Sequence, residues 1–329
     1  MRNLFILFLL ILTVHSCFKE EEMVPPHEQG DLTEGQVAMG TFYGTQVFFD
    51  LNSNAVVSSN AIIDWDLSFE SANGGWTIYL NTAKFMLAGN SFDTLFNTDL
   101  NVEELNMKFD KSDGNRDSTA IGPWFEISED SVWSHRFVYL VDLGSDEQGT
   151  PQGLIKVRFE ISGDAYMVRY SNTDSSQDTT VIINRDPVDE RVYFSFENGR
   201  MDIAPEPDQW SLFFTRYTTM LVTDEGENYP YLVAGVLLNP NGVEAALDTI
   251  RSFMDLNSND ITSLVFTTQA DRIGYDWKNY DFDAGVYTIV PDMNYVIRDR
   301  DGYYYKLRFV DFYSDQGVKG SPKFEFVRL

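Results

Sequence analysis

The chain has 329 residues and carries 24 Lys plus Arg against 51 Asp plus Glu, a formal net charge of -27. That balance excludes sequence-independent binding to nucleic acid, which needs cations to displace counterions from phosphate, and it excludes electrostatic docking on anionic lipid. Hydrophobic residues make up 43% and aromatics 15%, enough to build a core and to exclude wholesale disorder.

The first element is an export signal. Arg2 precedes an almost unbroken apolar run from Leu4 to Val14. As a helix this run rises about 16 Å, half a bilayer core, so it is the apolar stretch of a signal peptide and not a span. It leads into Val14-His15-Ser16-Cys17, which resembles a bacterial lipobox, where the thiol is acylated and becomes the new N-terminus. Cys17 is the one cysteine, so no intramolecular disulfide can form. Multiple acyl chains hold a protein on a membrane durably.

Residues 1–16 are therefore expected to leave as signal peptide. Residues 17–34, with Pro25-Pro26 and Gly30, are expected to form a lipidated flexible tether. Phe18-Lys19-Glu20-Glu21-Glu22 resembles the surface-export signal of one phylum of Gram-negative bacteria: Cys, any residue, Lys, then two acids. The expected location is the outer membrane, lipid-anchored and facing the cell exterior. No later segment approaches 18 apolar residues.

From residue 35 onward, period-two alternation dominates. Trp65, Leu67 and Phe69 alternate with Asp64, Asp66 and Ser68, and Trp76, Ile78 and Leu80 follow. Ile155, Val157, Phe159 and Ile161 alternate with Lys156, Arg158 and Glu160, one face in and one face out. Val192, Phe194 and Phe196, then Tyr303, Tyr305, Leu307 and Phe309 against Lys306 and Arg308, repeat the pattern. Turn signals separate the runs: Asn73-Gly74-Gly75, Ser162-Gly163-Asp164, Asn198-Gly199, Asn239-Pro240-Asn241-Gly242 and Asp301-Gly302.

The expectation is an all-β protein of mostly antiparallel sheets and hairpins, with at most one or two short helices. Val243, Leu247, Ile250 and Met254 at helical spacing, with Asn241 as cap, mark the one predicted helix; a strand followed by a short helix is the alternative. An N-terminal β region over 35–200 and a C-terminal one over 201–329 are expected, as one domain or two. Asp64-Trp65-Asp66-Leu67-Ser68-Phe69 echoes Asp208-Gln209-Trp210-Ser211-Leu212-Phe213-Phe214, which fits a duplication or ordinary strand composition. Trp65 and Trp210 are both expected to alternate into the core. Pro205-Glu206-Pro207 is a candidate junction.

Chemistry is sparse. Of three histidines, His15 leaves with the signal, His27 sits in the tether, and His135 lies in a strand-like Trp133-Ser134-His135-Arg136-Phe137. A nucleophilic triad would have to use His135, whose context is that of a hydrogen-bonded structural residue. One body histidine cannot build a multi-His zinc site. Asp110 to Asp117 fails the calcium-loop spacing and is expected at a hairpin tip. No enzyme is expected. The segment Trp210 to Met220 is dense in rings, with one guanidinium and a thioether at its end. It suits a core strand, the default, or a planar apolar ligand with acidic edges, where rings stack, Arg pairs a carboxylate and Met ligates iron.

Residues 208–219, 231–243, 271–278, 295–309 and 317–326 together resemble the HmuY-like family of surface haem-binding lipoproteins, the likeness being strongest over 201–329. The carrying stretches include Asp-Gln-Trp-Ser-Leu-Phe-Phe-Thr-Arg-Tyr-Thr-Thr and Tyr-Leu-Val-Ala-Gly-Val-Leu-Leu-Asn-Pro-Asn-Gly-Val. Trp65-Asp66-Leu67 with Asn73-Gly74-Gly75 also looks like the family's early strand and turn.

The resemblance implies an all-β fold whose projecting strand pairs grip haem and deliver it to an outer-membrane receptor. Family members use two axial histidines, and relatives use methionine. This chain reads Tyr217-Thr218-Thr219 where related sequences read Tyr-Thr-His, which leaves Met220 as the first candidate for iron. Arg216 and Tyr217 are then candidates to hold a propionate. Met254 and His135 come next, and Met293, Met201 and Met167 complete the set. The alternative is a glycan-binding surface lipoprotein that stacks exposed aromatics on sugar faces.

Overall fold

The computed structural model describes residues 30–329 apart from 72–74, 130 and 224. Cys17, the export motif and the Asn73-Gly74 part of one turn signal lie outside the described residues. Every strand pair is antiparallel. The described residues contain no α-helix, only short 3-10 turns between strands.

Four sheets feed two cores. Strands β1 (Thr33–Gln36), β17 (Glu244–Asp248), β20 (Asn294–Arg298), β21 (Tyr304–Tyr313) and β22 (Lys319–Arg328) form a sheet in the order β1-β22-β21-β20-β17. Strands β2 (Thr45–Asp50), β3 (Ala55–Ala61), β15 (Leu212–Val222) and β16 (Asn228–Leu238) form a second, β16-β15-β2-β3. Together they bury the first core, in which Trp277 stacks on Phe309 at 3.8 Å and Phe214 on Phe324 at 5.4 Å.

The second core has its own pair of sheets. One is β12-β11-β10-β9-β6, from β6 (Leu87–Asn90), β9 (Val138–Asp142), β10 (Leu154–Ser162), β11 (Ala165–Asn172) and β12 (Thr179–Asn184). The other is β14-β13-β4-β5, from β4 (Leu67–Glu70), β5 (Ile78–Leu80), β13 (Arg191–Ser195) and β14 (Gly199–Met201). Its centre holds Phe69, Trp76, Trp124, Phe159 and Tyr166. Two hairpins stand outside these sheets: β7 (Phe125–Ser128) with β8 (Ser131–Ser134), and β18 (Lys278–Asp281) with β19 (Val286–Ile289).

The alternating runs fold as strands, and Asn198-Gly199 and Asp301-Gly302 form the β13–β14 and β20–β21 turns with glycine at positive φ. The face assignment needs correction, however. Lys156 on β10 and Lys306 on β21 were expected outward, yet both are buried. Loops cover those faces and supply acceptors: Lys156 Nζ donates to Ser175 Oγ at 2.5 Å, and Lys306 Nζ donates to the Phe253 and Leu256 carbonyls at 2.9 and 2.8 Å. A long stem buried with its ammonium bonded satisfies both halves of the side chain.

The helix over 243–254 is not formed. Residues 244–248 are β17, registered on β20 from Glu244 opposite Arg298 to Asp248 opposite Asn294. Val243 and Ala245 enter the first core and Leu247 packs against it, which is period two. Asp248 Oδ1 then accepts from the backbone of Ile250 and Arg251, turning the chain, and Ile250 and Met254 are exposed.

Residues 30–34, expected in the tether, lie along β22 instead. The Gly30 amide donates to the Arg328 carbonyl at 2.8 Å, and Thr33 and Glu34 face Phe326 and Glu325. Gly35 is required there, because a Cβ would sit 2.4 Å from the Phe324 ring.

Candidate functional site

Strand β15 pairs with β2 only through Leu212, Phe213 and Phe214, while its pairing with β16 runs on to Val222 and Asn228. Beyond Phe214 the two strands are therefore a ribbon without a third strand. Its root is tied down. Gln46 Nε2 donates to Thr215 Oγ1 at 3.0 Å, and Thr218 Oγ1 donates to the Thr82 carbonyl at 2.8 Å. Its outer end exposes Met220, Val222, Tyr229 and Tyr231.

The hairpin β18–β19 lies alongside. Val236 on β16 and Gly274 exchange backbone hydrogen bonds of 2.9 and 3.0 Å. Gly235 permits this approach, since a Cβ there would come within 2.5 Å of the Gly274 carbonyl oxygen. This second hairpin exposes Tyr280, Phe282 and Val286. Tyr280 packs on Tyr287 at 4.8 Å, and the Tyr43 and Tyr287 hydroxyls are 3.5 Å apart. Burial raises the Tyr287 phenol above its ordinary range; the Tyr43 hydrogen bond opposes this, and the phenols of Tyr231, Tyr280 and Tyr313 add to it. Phenols from both hairpins thus share one neighbourhood.

The predicted site residues are not gathered in one place. Alternation puts Arg216, Thr218 and Met220 on one face of β15 and Tyr217 on the other. Met220 is exposed at the ribbon's end, as a ligand would need to be. Arg216 corrects the expectation of a propionate partner. Its guanidinium donates to three backbone carbonyls, Ala83 at 2.6 Å, Asp146 at 2.9 Å and Phe42 at 3.3 Å, and it is buried. Burial lowers its pKa, with Glu147 and Asp146 opposing. Tyr217 is likewise a core residue, 1% exposed, its phenol pushed well up by burial.

Met254 sits in the loop that covers Lys306, and His135 stacks on Phe137 at 5.1 Å with its Nε2 3.6 Å from Glu126 Oε1. Met293 packs on the first core and Met167 lies on β11.

Sequence reasoning missed a cleft. A third apolar cluster joins Phe48, Trp65 and Ile203 with the half-buried Tyr193, Met201, Trp210 and Phe213. Trp65 is in the core as expected, its indole donating to Gln46 Oε1 at 2.8 Å. Trp210 is half-buried and lines the cleft, whose volume is about 810 Å³.

The segment expected as a hairpin tip, Asp110 to Asp117, forms part of the same wall and contains a 3-10 turn, Arg116–Ser118. Asp110 is buried because it serves as a turn acceptor: Oδ1 takes the Ala120 amide at 2.6 Å and Oδ2 the Leu80 amide at 2.7 Å. Burial pushes its carboxyl up to about 6, while those two bonds and Arg191 pull it back. The one sequence signal was the Trp65–Trp210 echo, whose two tryptophans converge here while Leu67 and Phe69 enter one core and Leu212 and Phe214 the other.

The family model described as HmuY protein matches residues 188–326, which include both projecting hairpins. No curated protein matches the chain. Among solved structures, apo PinO from Porphyromonas gingivitis is 8% identical, with 90% of this chain and 97% of that chain covered and a TM-score of 0.33. The apo HmuY analogue of Tannerella forsythia is 8% identical, with 92% and 97% covered and a TM-score of 0.27. With TM-scores this low, the two neighbours add nothing to the family match. The likeness of this chain to the HmuY family therefore rests on residues 188–326.

Proposed function

We propose that the protein is a lipid-anchored outer-membrane protein of the cell surface that binds haem without catalysis and passes it to an outer-membrane receptor. The observation that carries this reading is the pair of projecting hairpins within the family-matched residues, with Met220, Tyr229, Tyr231, Tyr280 and Phe282 exposed on them. Exposed large apolar groups clustered at the ends of two ribbons mark a binding surface. Their chemistry fits the porphyrin. Flat rings pack on a flat macrocycle, and a thioether or a phenolate is an axial ligand for haem iron. Met220 is the ligand favoured here. Tyr229 and Tyr231, registered opposite Leu221 and Thr219, lie on the other face of the ribbon, where Tyr231 and Tyr280 both neighbour Tyr287, so their phenols are the alternative ligands on that face. When bound, haem would supply a redox-active iron, and the chain's part is to hold it and shield its faces.

The test is a haemin titration followed in the Soret region, in the ferric and ferrous states. Thioether ligation raises the reduction potential, so binding tightens on reduction. Met220→Ala weakens it more than Met254→Ala or His135→Ala. A titration without any spectral shift in either redox state removes the haem reading.

A further inference from the structure

The cleft between the two cores is separate from the hairpin ends and plays no part in the haem reading. Its apolar wall is built of rings: Phe48 meets Trp210 edge-on at 5.0 Å, and Trp65 meets Tyr193 edge-on at 5.0 Å. The Trp65 N–H is held by Gln46, whereas the half-buried Trp210 has no partner for its indole N–H among the described residues.

Arg191 also lines the cleft, its guanidinium carbon 3.8 Å from the centroid of the Tyr79 ring. Among the described residues it makes no hydrogen bond and no ion pair. The neighbouring arginines differ: Arg116 pairs with Glu70 at 2.6 Å, and Arg200 with Asp186 at 3.2 Å. A ring beneath a guanidinium takes none of its N–H hydrogen bonds, so the Arg191 donors remain open to an acceptor. Asp189 and Glu190, both half-buried, add acceptors to the same cleft.

We propose that this cleft binds a neutral oligosaccharide, with the apolar face of a sugar ring on the Trp210 indole and its hydroxyls bonded to Arg191. A sugar ring presents C–H groups on its faces and hydroxyls around its edge. It therefore needs flat apolar surface next to unpaired donors and acceptors, which this cleft has. Other ligand classes fit less well. A polyanion meets six carboxylates and four cations in the lining, on a chain of net charge -27. A metal ion finds no group of three or more ligating side chains among the described residues. A wholly apolar ligand would bury the Arg191 and Trp210 N–H groups unpaired, which costs the desolvation of each donor and most for the charged one. At about 810 Å³ the cleft falls within the roughly 300–1,000 Å³ typical of small-molecule sites, so it takes a short run of sugar rings.

The test applies the full chain to an array of neutral gluco-, manno-, xylo- and galacto-oligosaccharides, with sialyllactose and oligogalacturonate as acidic arms. Calorimetry with the best neutral ligand follows, on the wild type, Trp210→Ala, Trp210→Phe and Arg191→Ala. Both alanine variants are expected to bind about tenfold more weakly or worse, and the phenylalanine variant to recover part of the loss. Arg191→Ala removes no protein hydrogen bond, so it remains informative if Trp210→Ala is unstable. Haemin titrations of the same variants are expected to match wild type. Three results overturn the proposal: retention of acidic sugars alone or of no sugar, equal affinity in Arg191→Ala, or loss of haemin binding in the cleft variants, which would put the porphyrin there.

Discussion

The Arg216 guanidinium donates to the Ala83 carbonyl at 2.6 Å, so the root of the projecting ribbon is fastened to the turn that follows β5. Two further carbonyls complete the fork, which a single ammonium cannot reproduce. Arg216→Ala should cost about 3 kcal/mol or more, because it leaves buried carbonyls unpaired, and Arg216→Lys should recover little of it. Urea denaturation reads both; a near-neutral Arg216→Ala would mean that water replaces the guanidinium.

Trp65 and Trp210 share a cluster but not a degree of burial, and their truncations should differ. Trp65→Ala removes a buried ring and a hydrogen bond and should cost about 3–5 kcal/mol. Trp210→Ala should cost about 1–2 kcal/mol, since part of its surface already meets solvent. Equal losses in denaturation midpoint would show that the cleft closes over Trp210 in solution.

Asp110 gives the stability a pH signature. Burial raises its folded-state pKa from 3.8 to about 6, so between those values the folded chain holds the proton and the unfolded chain does not. Its contribution is fully present below pH 3.8 and is lost as pH rises through about 6, about 3 kcal/mol in all. Asp110→Asn should flatten that part of the curve. Parallel wild-type and variant curves from pH 3 to 7 would mean that Asp110 titrates alike in the folded and unfolded chain.

Gly35→Ala should destabilise by about 1–3 kcal/mol, because the new methyl overlaps the Phe324 ring in the first core. Thermal melts would show it, and an unchanged midpoint would mean that β1 can peel from β22 at little cost.

Anchoring should depend on Cys17, whose thiol is the one available for a lipid. Cys17→Ala should move the protein out of the detergent phase. Replacing Lys19, Glu20 and Glu21 with Ala should leave the lipid and reduce digestion by external protease. Wild-type partitioning in the first variant would remove the anchor, and unchanged surface shaving in the second would remove the export signal.

What the sequence determined by itself is local. Leu154–Ser162 and Tyr304–Tyr313 announce themselves as strands because side chains alternate across any extended backbone, whatever lies beside it. Turns at Asn198-Gly199 and Asp301-Gly302 are legible because few residues accept positive φ. The tertiary structure decided everything that needs a distant partner. Lys156 and Lys306 are buried because remote loops bring acceptors to them, and residues 244–248 are strand because β20 offers an edge. Arg216 is held by carbonyls of Phe42, Ala83 and Asp146, three segments remote in sequence, so no spacing rule could have removed it from a ligand set. The cleft exists because Trp65 and Trp210, each at the start of a buried strand in a different core, meet at Phe48. Periodicity shows which side a residue faces and is silent on what waits there.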